Sequence, residues 1–256
     1  MYKFCILLLV LFVPFCMKGQ NPTVALGASK NIVISGSVGY SVPFGKYAYT
    51  DKLDTGAGYA HRGINYMLSF SWKFIDNMGI AACAGGMAHG MDLKSADKLF
   101  YPASGTVSWN NLGQFYGLNY YMAGLYFNDW AGDDSRFSMN ARALYGIMQM
   151  NLPALNLTGN LEKGSVGVKM NALTANTKGF LFGLGGKIIL TKSLAFVMHV
   201  DYILSQFDFG NQTYEVNQNG ARSQNNIHLN LHANVFNYSA GLGIMLYSVL
   251  FCSILT

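Results

Sequence analysis

His199 and Asp201 stand two residues apart in the segment Leu194–Leu204, a spacing that puts both side chains on one face of a strand. A histidine beside a carboxylate can activate water, but only as part of a complete constellation that here needs a second acidic pair. The pair Asp133-Asp134 falls in a short connection on the opposite side, so the couple lacks its counterpart. A structural role is the stronger expectation. Asp201 on an inward face needs a cation, and Arg142, Lys187 and Lys73 fall on inward parities of their own segments. Buried charges persist only when paired. Lys73, Arg142, Lys187, His199 and Asp201 are therefore expected to form an internal polar network, with no catalytic residue among them.

Other chemistry-bearing residues give weaker signals. His228 and His232 have a four-residue spacing that suits a metal on a helix, but on a strand it separates them by about 13 Å. They are expected as polar residues at a loop base, and His61 and His89 have no supporting partners in sequence. Gly183-Leu-Gly-Gly-Lys187 lacks the leading glycine and the trailing Ser or Thr of a phosphate loop. Gly183 and Gly185 instead share the inward parity with Gly241 and Gly243, where missing side chains relieve crowding in a narrow barrel. No serine stands with a histidine as a lipid hydrolase would need. Beyond the first nineteen residues only Cys83 and Cys252 remain, which is neither a disulfide framework nor a zinc site. No metal or cofactor is expected, and the chain lacks the basic run that nucleic acid would require.

The elements that must position these residues follow a period of two. Ile64, Tyr66, Leu68, Phe70, Trp72 and Phe74 alternate with Gly63, Asn65, Met67, Ser69, Ser71 and Lys73. Eight such segments are expected, near 31–44, 63–74, 79–90, 114–127, 137–149, 180–190, 194–204 and 227–247. In the last, Ile227, Leu229, Leu231 and Ala233 are odd while the apolar residues from Phe236 onward are even, which predicts a one-residue bulge near Val235. Short connections at 75–78, 128–135 and 191–193 alternate with long polar ones at 47–58, 91–111, 152–178 and 208–226. All short turns then lie at one end of a meander, as in a membrane barrel.

Charge decides which face meets which solvent. Charged residues make up 11% of the chain, against about 25% in soluble domains. A soluble barrel would carry Lys and Glu on its polar face, but here that face is mostly Ser, Gly and Asn. The fold class expected is all-β: a transmembrane up-and-down antiparallel β-barrel of eight strands. The alternative is ten strands, if 152–178 hides a further hairpin.

Lys3 followed by the apolar stretch Cys5–Phe15 and Gly19-Gln20 predicts a cleaved signal peptide over 1–19, leaving one barrel domain over 20–256. The mature balance is then 15 minus 12, or +3, after loss of Lys3 and Lys18 from the 17 basic residues. With Gly39-Tyr-Ser-Val-Pro-Phe-Gly-Lys-Tyr47 closing the first strand and Tyr238-Ser-Ala-Gly-Leu-Gly243 in the last, the chain resembles the small OmpA/OmpX-like outer-membrane barrels of Gram-negative bacteria over about 31–248. It departs from them at its end, where Phe251 is followed by five more residues. The resemblance implies an integral outer-membrane location and a non-enzymatic structural, adhesion or complex-accessory role. The partners implied are outer-membrane lipid and proteins met through the loops. Eight strands leave an interior that side chains fill, so a plugged lumen is expected. The alternative function is a pore for small solutes. Loop 152–178, with Leu155, Leu157, Val166, Val168 and Met170, is expected to extend the barrel outward.

Overall fold

The computed structural model describes residues 32–50, 58–75, 77–92, 108–110, 115–128, 136–161 and 164–246. Residues 1–31 and 247–256, where the signal peptide is expected and the terminal tail falls, lie outside the described residues, as do Asp133 and Asp134. Eleven strands follow in chain order: β1 Ile32–Phe44, β2 Ala60–Ile75, β3 Met78–Met91, β4 Ser108–Asn110, β5 Phe115–Asn128 and β6 Phe137–Leu152, then β7 Leu155–Leu161, β8 Gly164–Met170, β9 Leu173–Ile189, β10 Leu194–Gln218 and β11 Ala221–Leu246. Eight of them close an antiparallel ring, β1-β2-β3-β5-β6-β9-β10-β11, with β11 returning to β1. The remaining three, β8, β7 and β4, form a flap hydrogen-bonded to the upper end of β10. The ring therefore has eight strands, and the hairpin hidden in 152–178 adds none to it.

The ladders fix the shear. A row passing Asn151, Gly117, Ala88, Ile64, Tyr40, Tyr238, Val200 and Leu184 returns to β6 at Ala141. The offset is 151 minus 141, or ten residues. Such stagger is what tilts strands in a closed barrel.

Period two sorts the lower barrel as its composition requires. Ile34, Val38, Ile64, Leu68, Phe182, Leu242 and Ile244 point outward and are exposed, forming a continuous apolar belt. Aromatic rings border it: Tyr202 stacks on Phe236 at 4.6 Å towards the long-connection end, and Trp72 meets Phe74 edge-on at 5.9 Å towards the short-turn end. An outward apolar band between aromatic girdles is the signature of a membrane-spanning barrel. An arginine at Leu242 is expected to destabilise the folded barrel by about 2–4 kcal/mol, whereas His228→Arg on the same face of β11 stays within about 0.5 kcal/mol. Urea titration of the vesicle-folded protein measures both.

Above the belt the two faces exchange chemistry. On β11 the even residues remain outward but become polar (Asn226, His228, Asn230, His232), while odd Ile227, Leu229, Leu231, Ala233 and Val235 are buried inside. The bulge expected near Val235 is absent: Val235 pairs in unbroken register with Pro43 and Ile203. What changes there is the solvent. The register shift lies instead on β10 between Asp208 and Gly210, where Gly210 has φ +69° and its N–H donates to Asp208 Oδ1 at 2.8 Å. After it the inward set of β10 moves to even positions such as Val216.

Two long connections are sheet, one of them the outward extension expected of 152–178. Segment 208–226 is the top of a long hairpin closed by Asn219 and Gly220 at φ +52° and +87°, the backbone of a two-residue I′ turn. Segment 152–178 contains the β7–β8 hairpin and the start of β9. Its Leu155, Leu157, Val166, Val168 and Met170 are buried in one core with Phe207, Phe209, Leu229 and Leu231. The extension is thus built like a soluble domain, polar outside and apolar inside, on a barrel built the other way.

Candidate functional site

One ladder row carries a chain of polar groups through the lumen. It runs Arg142, Gly183, Asp201, Asn237, Ser41, Gly63, His89 and Tyr116 across all eight ring strands. Because every strand places this position inward, residues remote in sequence share one interior spiral.

At one end of the row Arg142 grips Asp201 with both prongs. Nη2 donates to Oδ2 at 2.7 Å and to Oδ1 at 2.8 Å, while Nε donates to Oδ1 at 3.0 Å. Both side chains are buried, at 5% and 2% residue exposure. The bidentate geometry suits a planar guanidinium and offsets its desolvation. Gly183 lies between them in the row, and a Cβ there would overlap Asp201 Oδ1 and Arg142 Nε. Gly185 makes the same room for Asn140. These glycines serve particular side chains as well as curvature.

Of the three cations considered for Asp201, Arg142 meets it. Lys187 and His199 line a small cavity of about 20 Å³ with Asn140, Ser35 and Ser69, nearer the short-turn end. His199 is buried, and neither ring nitrogen hydrogen-bonds to protein. Lys73 lies inward at the level of Gly79, towards the short-turn end of β2. The five residues thus share the lumen, and Arg142 and Asp201 form a buried ion pair within it.

Further along the row stands a cluster that sequence spacing did not reveal. Ser41 Oγ lies 2.7 Å from both His89 Nε2 and Asn237 Oδ1, and Tyr47 OH lies 3.3 Å from His89 Nδ1. A serine beside a histidine invites comparison with a hydrolase, but the proton order runs backwards. The Asn237 carbonyl can only accept, so Ser41 donates its one proton there. His89 Nε2 must then donate to Ser41 Oγ, and Nδ1 accepts from Tyr47. A general base would accept from the serine instead. Burial, and secondarily Tyr116 beside it, holds the Tyr47 phenol well above its ordinary range, so it stays a donor. Ser41, His89 and Tyr47 are each fully buried, so Ser41 is closed to substrate.

The cap over this cluster comes from the first long connection. A 3-10 turn, Gly45–Ala48, drops Tyr47 into the barrel mouth against Tyr116, at 5.7 Å between ring centroids. Tyr116 OH donates to the Gly58 carbonyl at 2.6 Å, fastening the return of that connection. The lumen is therefore filled by an ion pair, then a hydrogen-bonded chain, then an aromatic and aliphatic cap. His228 and His232 lie outside on β11; His228 is 3.6 Å from Asp208 and 3.2 Å from Asn211. Among the described residues no group of three or more His, Cys, Asp or Glu could hold a metal ion.

No protein-family model matches the chain, and no curated protein matches its sequence. Solved structures similar to it are small outer-membrane barrels. OprG from Pseudomonas aeruginosa aligns at 16% identity and TM-score 0.46, over 85% of this chain and 96% of its own. A major outer membrane protein from Thermus thermophilus aligns at 11% identity and TM-score 0.45, over 83% and 98%. Neisserial surface protein A aligns at 10% identity and TM-score 0.42, over 86% and 99%.

Proposed function

We propose that the chain is an integral outer-membrane protein with a non-enzymatic role, exported behind the signal peptide at 1–19. In this reading the barrel is an anchor. Its function lies in the β-extension that β7, β8 and the upper parts of β10 and β11 hold above the membrane, through which it would take part in adhesion, envelope structure or assembly with other envelope proteins. One observation supports it above all: the lumen is closed at successive heights by Arg142–Asp201, by Ser41–His89–Asn237 and by Tyr47 with Tyr116. A transport protein would leave a continuous polar path, whereas a rigid scaffold puts its function in connecting segments. The apolar core that continues from the barrel mouth into the extension gives that platform a fixed shape.

Planar-bilayer recording of the folded chain tests this. Membranes with inserted protein are expected to stay at baseline conductance. Reproducible single-channel steps would reject the closed anchor in favour of a solute pore.

A further inference from the structure

The membrane face of the barrel is not evenly ridged. A groove of about 570 Å³ crosses β2, β3, β5 and β6. The ladders show how it arises. One row places Phe70, Ala82, Ala123 and Tyr145 side by side, and the next places Leu68, Ala84, Tyr121 and Ile147. The alanines of β3 and β5 floor the groove, while Leu68 and Phe70 wall it on one side and Tyr121 and Tyr145 on the other. Apart from the tyrosine hydroxyls, its lining side chains offer almost nothing polar, and it lies wholly within the belt that faces lipid.

Its upper end is different. The second row continues from Ile147 to Lys178 on β9, an exposed cation two residues above Phe180. The next row up carries Asn119, Gln149 and Asn176, again side by side. Lys178 makes no ion pair with a described residue. An apolar groove at acyl-chain depth therefore ends, on the long-connection side, at a cation and a line of amides at headgroup depth.

We propose that this groove binds a membrane lipid with a net anionic phosphate headgroup, one acyl chain lying over Ala84 and Ala123 and the phosphate held by Lys178. The charge chooses the occupant. A second copy of this chain would meet the groove with its own apolar belt, whereas an anionic lipid supplies both an acyl chain for the groove and a phosphate for Lys178. The site rests on the barrel spanning a membrane, as argued above.

The test uses the full chain folded into vesicles of equimolar phosphatidylglycerol and phosphatidylcholine with matched acyl chains. The protein is then extracted in mild detergent and weighed by native mass spectrometry. Heat-modifiable gel migration first establishes that each protein folded. Wild type is expected to retain one lipid, with phosphatidylglycerol favoured about five-fold, the effect of one lysine at an anionic surface. Lys178→Glu is expected to abolish that preference, and Ala84→Phe to remove the retained lipid of either kind. Should Ala84→Phe fail to fold, Ala123→Leu fills the same floor. A wild-type protein that retains no lipid, or retains both kinds equally, overturns the site, as does a preference that survives Lys178→Glu or retention that survives the filled groove. A chain that never folds in vesicles fails earlier, and rejects the membrane reading itself.

Discussion

Arg142→Met is expected to destabilise the barrel by about 3–5 kcal/mol, because it leaves Asp201 charged, buried and unpaired. Asp201 is 2% exposed, and among the described residues the Arg142 guanidinium is the one cation that meets it. Asp201→Leu alone should cost a comparable amount by stranding Arg142. Arg142→Met with Asp201→Leu is the informative variant. Replacing both partners with apolar groups removes the desolvation cost along with the attraction, so the double variant should lie near wild type or above it by about 1–4 kcal/mol. Urea titration in vesicles, following tryptophan fluorescence, reads all three on one scale. A single-variant loss under about 1 kcal/mol would mean that water or another group reaches Asp201, and the lumen would not be sealed at that height. The cycle therefore measures closure as well as stability.

The membrane half of the fold was legible because its solvent is constant. Along Ile64 to Phe74 the outward residues belong to the apolar belt and the inward ones face the lumen, so parity alone sorts them. The pairing of Asp201 with a cation followed from the same parity. The upper half was not legible for a physical reason. Where β11 leaves the bilayer its outside becomes wet and its inside dry, so the apolar residues change parity between Val235 and Phe236 although the strand does not shift. A change of surroundings and a bulge write the same pattern. One signal separates them: Asn219-Gly220 between polar flanks marks a tight hairpin, which turns a loop of nineteen residues into two continuing strands. Ser41 with His89 could not be read at all. They are 48 residues apart on strands that never pair, and only the spiral of the shear brings them together.

If the extension is an independently packed layer, then emptying its core should loosen it without unfolding the barrel. Phe207 is fully buried in that layer, opposite Leu231 and in one cluster with Leu157 and Val168. Phe207→Ala is expected to cost about 3–5 kcal/mol, the transfer free energy of the ring plus the cavity it leaves. The loss should be local, because the belt strands keep their own ladders and lipid contacts. Trypsin provides the readout. Lys169 on β8 and Arg222 on β11 lie in the extension, in strands that the intact core holds in sheet. In the vesicle-folded variant, cleavage at both should accelerate greatly while the heat-modifiable barrel fragment persists. Concerted loss of barrel and extension would show a single cooperative unit, with the apolar cap bracing the membrane strands. Unchanged proteolysis would show that Phe207 does not support the layer. Only the first outcome leaves a platform whose packing can be lost while its anchor stays folded.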